Sequence, residues 1–389
     1  MNSTTPVETP SVLKHHEYEP TLGDRWLAFL KKVVANPETR HKSLDFYAGL
    51  SAKTPPFRHA DPALSRIIRF QDRSLPIHLS SPIILAAGAN KYARHLADFA
   101  SLGFGGITVG SATLAARDGN PYRPRIRLLE GERGMQNAMG LNNPGIEVIA
   151  REVDKGLEAC HRRGMAVGIS IADTPGLTDE DEIIAETLAV FRKAYAAADY
   201  LELNLSCPNT GADRLDSDPS FLATLLREIM DTRKSLAPRK AVLVKLSPDM
   251  NARALDNTLR IVADTGITGV VLFNTFPAEK SRYLKLRAPE TFLLPVTGEG
   301  RLGGLSGRPL YQNTLPAVRH IRRALPKTAI FAAGGVDHGA KVLDLLAAGA
   351  DAVQAYTVLA YRWNAAWKMQ DELLTAMRAR GVTSLNEPD

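Results

Sequence analysis

The sequence predicts an α/β protein: a closed (β/α)8 barrel (TIM barrel) preceded by a small N-terminal helical extension. Three observations predict it. From about Leu85 onward one theme repeats, a short β-branched or apolar run that ends in a small or polar residue and is followed by a longer helical pattern. Eight such runs occur: "ILAAG" (84–88), "GGITVG" (105–110), "AVGISI" (166–171), "YLELNLS" (200–206), "AVLVKLS" (241–247), "GVVLFN" (269–274), "IFAAGG" (330–335) and "AVQAYT" (352–357). Strands alternating with helices imply a parallel sheet, and eight units over roughly 290 residues fit a closed barrel with insertions after the second and sixth strands. Finally, the first run leads into "AAGAN" and not into the GxGxxG turn by which an open doubly wound sheet announces itself.

The elements before the barrel read differently. Residues 1–20, "MNSTTPVETPSVLKHHEYEP", lack the basic start and apolar core of a secretory signal and read as disordered. Residues 21–79 form the expected helical extension, and 80–389 the barrel. "DRWLAFLKKVV" places Trp26, Phe29, Leu30, Val33 and Val34 on one helical face, with Arg25, Lys31 and Lys32 elsewhere. "NPETRHKSLDFYAGL" follows as a second helix, Asn36 its N-cap and Pro37 its first residue. Such a hairpin either packs on the barrel or presents a cationic amphipathic patch to a membrane surface, through residues 24–50.

Composition narrows the function classes. Of 389 residues 44% are apolar, an ordinary globular share, and no apolar run approaches the ~20 residues of a membrane-spanning helix. Two cysteines, Cys160 and Cys207, provide neither a disulfide framework nor a four-cysteine zinc site, which points to a reducing, cytoplasmic setting. With 48 basic and 42 acidic residues the net charge is +6. That suits an anionic ligand or lipid surface; nucleic acid is disfavoured, because no basic stripe interleaved with aromatics is present.

In such a barrel the chemistry sits at the C-terminal ends of the strands. Read there, the chain offers Lys91, Ser111, Ser170, Asn204, Cys207, Lys245, Asn274, Gly334, Gly335, Tyr356 and Thr357. Cys207 stands in "NLSCPNTG", where Pro208 ends the strand and amide side chains crowd round a thiol, a setting for a base or nucleophile. Cys160, in "GLEACHRRG", has no such company and reads as structural. Lys245 interrupts a run that otherwise reads as buried and so requires an anionic partner: a phosphate, a reduced flavin ring or a carboxylate. The Gly334–Gly335 pair, and "GGLSG" at 303–307, supply backbone N–H groups of the kind that bind phosphate at the seventh and eighth strands.

Taken in order, "NAMGLNNPG", "NLSCPNT", "VLVKLSPD", "GGLSGRPL" and "AAGGV" resemble the dihydroorotate dehydrogenase family, FMN enzymes of pyrimidine synthesis, over about residues 80–365. The resemblance implies a (β/α)8 barrel. It implies FMN contacts at Ala87, Gly88, Ser111, Ser170, Asn204, Lys245, Gly304, Gly334, Gly335, Tyr356 and Thr357. Dihydroorotate would meet Lys91, Asn137, Gly140, Leu141, Asn204, Asn209, Asn274 and Thr275, and Cys207 falls on the catalytic-base position. The soluble subfamily is similar to this chain in its Cys base and in "NAMGLNNPG". The membrane-associated, quinone-using subfamily is similar in its N-terminal extension, where "NPETRH" (36–41) matches, and in Lys91. Weighed together, these imply quinone as acceptor and a peripheral position on the inner face of the cytoplasmic membrane. Departures at Ala138, Leu141 and Ser170, a short "SIADTPG" loop and "AYRWNAAW" after the eighth strand leave rivals open: another dihydropyrimidine as substrate, a soluble acceptor (fumarate or NAD), or an FMN-binding barrel without catalysis.

Overall fold

The computed structural model describes residues 59–121, 123–205, 218–280, 303–362 and 364–386. Cys207, Asn209 and residues 24–50 lie outside the described residues.

Two short strands, β1 (Arg66–Ile68) and β2 (Ile77–Leu79), form an antiparallel hairpin. The barrel strands are β3 (Ile83–Leu85), β4 (Gly106–Ala112), β7 (Ala166–Ile171), β8 (Tyr200–Leu203), β9 (Ala241–Leu246), β10 (Gly269–Leu272), β13 (Ala329–Ala333) and β14 (Ala352–Ala355). They pair in parallel in that order, and β14 closes on β3. All eight expected runs supply a strand. Each is buried on both faces, which is why they read as nearly continuous apolar stretches and not as alternating ones.

The two expected insertions are also present. After β4 come β5 (Ile126–Leu129) and β6 (Gly134–Asn137); after β10 come β11 (Phe276–Pro277) and β12 (Gly304–Gly307). They merge into one antiparallel sheet, β11–β12–β6–β5, so the loops after strands two and six of the barrel hold each other in place.

Helices follow the strands: α1 (Leu96–Phe99), α2 (Ile146–His161), α3 (Glu180–Ala197), α4 (Pro219–Lys234), α5 (Ala252–Thr265), α6 (Tyr311–Ala324), α7 (Gly339–Ala347) and α8 (Ala365–Ala379). Their starts are written in the sequence: Asp179, Asp218 and Asn251 accept hydrogen bonds from the first-turn N–H groups of α3, α4 and α5. On α2 the buried positions Ile146, Ile149, Val153, Gly156 and Cys160 recur at helical spacing. The Cys160 thiol lies 3.6 Å from the Leu96 carbonyl, and burial, with Asp199 adding to it, pushes its pKa up to about 12, so Cys160 is an inert core residue, as its sequence context implies.

Strand register decides what fills the barrel. At the bottom the inward positions are small: Gly106, Ala166, Ala241, Gly269, Ala329 and Ala352. Into that space packs the hairpin, through Ile68, Phe70, Ile77 and Leu79, which share one core cluster with Ala166, Ala241, Ala329 and Ala352. The part of the predicted helical extension that is described, 59–79, is therefore a 3-10 turn and a β-hairpin plug. Its short β-branched runs pair antiparallel because one face closes the barrel floor. In the middle, Tyr200 and Phe331 meet edge to face, ring centroids 5.6 Å apart. Gly168 makes room for them, since a Cβ there would lie 2.3 Å from the Tyr200 ring. Above them the inward layer turns polar: Thr108, Ser170, Glu202, Lys245 and Gln354, all buried.

Candidate active site

Above this polar layer the strand ends and the insertion sheet enclose two adjoining hollows of about 760 and 670 Å3, mouths included. Ala87, Lys245, Asn274, Thr275, Ser306 and Tyr356 line both, so they form one elongated cleft.

One end is cationic. It is lined by Gly334, Gly335 and Thr357 and by Arg133, Arg308 and Arg362. Gly335 has φ +75, and a Cβ on it would stand 2.5 Å from the Tyr311 backbone N, so the loop after β13 lies directly on the first turn of α6. Gly334, at φ +128, leaves the same room for Thr314, whose hydroxyl donates to the Gly334 carbonyl. The arginines are braced: Arg308 Nε lies 2.8 Å from Asp337, Lys341 Nζ 2.7 Å from the same carboxylate, and Arg362 2.8 Å from Glu372. Burial alone would raise the Asp337 carboxyl; hydrogen bonds from Lys341 and Arg308 outweigh it and hold the group below the usual carboxylate range. Three arginines and one carboxylate line this end, an excess of positive charge matched to a phosphate dianion.

The other end is lined by amides and apolar side chains: Lys91, Asn137, Asn204, Asn274 and Thr275 with Ile126, Met135, Met139 and Leu141. The amides are oriented by a chain of hydrogen bonds. Thr275 N donates to Asn274 Oδ1, Asn274 Nδ2 to Asn204 Oδ1 (3.0 Å), and Asn204 Nδ2 to Ser111 Oγ (2.8 Å). A backbone N–H can only donate, so this chain fixes which atom of each amide is oxygen. Asn137 Nδ2 donates to the Gly304 carbonyl across β6 and β12.

Between the ends, Lys245 Nζ sits 2.9 Å from Glu202 Oε1 on the neighbouring strand. This carboxylate is the anionic partner that Lys245 requires. Gln354 Nε2 donates to Glu202 Oε2 (2.9 Å) and lies 3.3 Å from Thr108 Oγ1. Gln354 lines the cleft, and its Oε1 is buried with no hydrogen-bond partner. Burial drives the Tyr356 phenol well above its ordinary pKa, which keeps it a neutral donor.

Of the residues singled out in the sequence, Ala87, Gly88, Lys91, Ser111, Asn137, Leu141, Asn204, Lys245, Asn274, Thr275, Gly334, Gly335, Tyr356 and Thr357 line the cleft. Three do not. Ser170 is fully buried and bonds to Ser111 Oγ at 2.8 Å, so it supports a lining residue and does not face the cleft. Gly304 lies behind the wall, where its missing side chain makes room for Thr275. Gly140, at φ +71, lets the loop before Leu141 close on Asn120. Glu202, Gln354, Arg133, Arg308 and Arg362 went unnoticed in the sequence. Glu202 carried a signal, because it interrupts "YLELNLS" just as Lys245 interrupts "AVLVKLS".

The residues present fit a flavin mononucleotide: a cation-and-glycine end for its phosphate, a buried lysine in the middle, and an orphan acceptor on a lining residue. Among the described residues no group of His, Cys, Asp and Glu is arranged to hold a metal ion. Nor is any described helix long and apolar enough to cross a membrane.

Fold and cleft thus define a (β/α)8 barrel whose strand ends and insertion sheet enclose a cleft that fits a flavin nucleotide. The dihydroorotate dehydrogenase family model matches residues 71–377, and the chain belongs to that family. Dihydroorotate dehydrogenase (quinone) of Xanthomonas oryzae pv. oryzae is 32% identical over 308 residues, 77% of this chain and 81% of its own. The enzyme of the same description from Stenotrophomonas maltophilia is 31% identical over 342 residues, 85% of this chain and 91% of its own. Among solved structures, DHODH from Eimeria tenella, crystallised with ferulenol, superposes with a TM-score of 0.75 at 26% identity, covering 92% of this chain and 96% of that one.

Proposed function

We propose that this protein oxidises dihydroorotate to orotate in pyrimidine synthesis, with FMN as cofactor and a quinone as final acceptor. The observation that carries the reading is the two-ended cleft, which joins a phosphate-type cation site to an amide-lined pocket with Lys245 between them. Lys91 holds the substrate carboxylate by a charge-assisted contact. Asn137, Asn204, Asn274 and Thr275, with Asn209 from outside the described residues, orient the ring so that its C5–H and C6–H bonds are aligned for reaction. Cys207, as thiolate, removes the C5 proton; the C6 hydrogen leaves with its electron pair and the C5=C6 double bond forms. When bound, FMN supplies the acceptor for that electron pair. Lys245 offsets the negative charge that accumulates beside it. Arg308, Arg362 and the Gly334–Gly335 backbone would hold its phosphate, and Gln354 Oε1 would offer an acceptor to a donor of the cofactor.

The quinone reading is supported by the names of the curated relatives and by the sequence spacing that would set Trp26, Phe29, Leu30, Val33 and Val34 on one helical face beside lysines. Such a face suits peripheral contact with an anionic membrane at the cytoplasmic side, through residues 24–50.

Stopped-flow reduction of the FMN-loaded protein by dihydroorotate tests the base. Cys207→Ala is expected to keep FMN and lose reduction by 10²-fold or more, roughly the contribution of a positioned base. Cys207→Ser is expected to retain part of the rate with a profile shifted to alkaline pH, since a hydroxyl is a weaker acid than a thiol. A near-normal rate in the Ala variant rules Cys207 out.

A further inference from the structure

The buried ion pair beneath the cleft has a geometry that its contribution to folding does not explain. Glu202 is fully buried and Lys245 is 6% exposed. Replacing such a pair by apolar side chains is often neutral for stability or better, so a core has no need of it. The strand register puts Glu202 opposite Leu243 and Lys245 two residues further on, so both point inward, Lys245 one step nearer the mouth. Accordingly Lys245 lines both hollows and Glu202 lines neither. Both carboxylate oxygens are engaged, one by Lys245 Nζ and the other by Gln354 Nε2, and Thr108 in turn joins Gln354 to the Tyr200 hydroxyl at 2.8 Å. The carboxylate thus has one position, behind the ammonium as seen from the cleft.

We infer that Glu202 is a positioning residue for the redox step: it fixes Lys245 at the cleft floor and, by opposing its charge, sets how strongly the site favours the reduced form of the bound cofactor. The inference rests on the reading of the cleft as an FMN site. A protonated lysine with no carboxylate behind it would present its whole positive charge to the cleft and would strongly favour added electrons. With Glu202 behind it the pair is a dipole, positive end towards the cleft, and the bias is smaller. The potential is thereby held where the cofactor can both take electrons from the substrate and give them up again.

The test is the midpoint potential of the FMN-loaded protein, measured against redox dyes without turnover. Glu202→Gln, which keeps the shape and removes the charge, should favour reduced over oxidised cofactor tenfold or more, a rise of ~30 mV for a two-electron couple. Glu202→Asp, which keeps the charge, should stay closer to the parent than to Glu202→Gln. Should Glu202→Gln fail to fold because Lys245 has lost the opposing carboxylate, the paired replacement Glu202→Leu with Lys245→Met avoids that penalty. Its potential should fall below the parent's, since the nearer, positive charge is the one whose loss dominates. An unchanged potential in Glu202→Gln, or in the paired replacement, overturns the inference. A parent protein that takes up no FMN, or whose FMN dihydroorotate does not reduce, instead refutes the functional reading beneath it.

Discussion

At the scale of single residues the site is built as much by what is missing as by what is present. Gly335 brings the loop after β13 to within van der Waals distance of the α6 backbone, at a φ that L side chains rarely adopt. Gly335→Ala is expected to lose about 1–3 kcal/mol of stability and to weaken FMN binding at least tenfold, because the added methyl meets backbone and not a side chain that can turn away. Isothermal titration of the apo-protein with FMN checks it; an unchanged affinity contradicts the account of the phosphate end. Asp337 gives a prediction in pH. Its folded-state pKa is depressed, so its contribution is present above the ordinary carboxylate range and is lost as pH falls through the folded value. Asp337→Asn should therefore be about 2 kcal/mol less stable than the parent to urea at neutral pH, with the gap closing in acid. A gap that persists there would assign the effect to packing.

Single residues were legible in the sequence where they break a pattern. Lys245 stood out as a charge inside an apolar strand, and the structure supplies the carboxylate it requires. Glu202 carried the same signal one strand earlier, but its neighbour Asn204 already offered a role at that strand's end. Gln354 could not be read at all: a glutamine in "AVQAYT" has no charge to neutralise, and its importance comes from the register that sets it beside Glu202 and Thr108. Ser170 illustrates the opposite limit. Its position at a strand end is visible in sequence, whereas the neighbouring Ser111 hydroxyl that covers it belongs to a strand 59 residues away.

At the scale of elements, the eight strands were legible because a parallel barrel buries both faces of each one, leaving short apolar runs bounded by turn signals. The hairpin β1–β2 was not. Each of its strands is three residues long, too short for periodicity to separate from the helical patterns before it. Its function is to close the barrel floor, with Ile77 only 2% exposed among Ile68, Phe70 and Leu79. Ile77→Ala should destabilise the protein by about 2–5 kcal/mol, as for other large-to-small changes in a core. It should leave FMN affinity intact, since the hairpin lies at the opposite end of the barrel from the cleft. Loss of affinity without loss of stability would contradict that separation.

At the scale of the whole molecule, the two insertions are what turn a barrel into a cleft. β5–β6 and β11–β12 leave different strand ends yet pair into one sheet, and that sheet brings Asn137 and Ser306 over Lys245 and Asn274. Sequence placed both insertions but could not show that they join, because pairing between segments separated by more than a hundred residues leaves no local trace. In the proposed function the N-terminal segment bears on the acceptor. Deleting residues 1–50 is expected to leave cofactor reduction by dihydroorotate largely intact while slowing quinone-dependent turnover and binding to anionic vesicles. Full quinone turnover by the shortened protein would make the segment a structural cap.

The central claim, that the cleft joins a flavin site to a dihydroorotate site, is tested most directly by mixing the purified protein with dihydroorotate in the absence of oxygen and following its visible absorbance. The account predicts a protein that carries FMN and is bleached by dihydroorotate in a single turnover. A protein whose flavin keeps its colour with dihydroorotate, yet is bleached by dithionite, would contradict it.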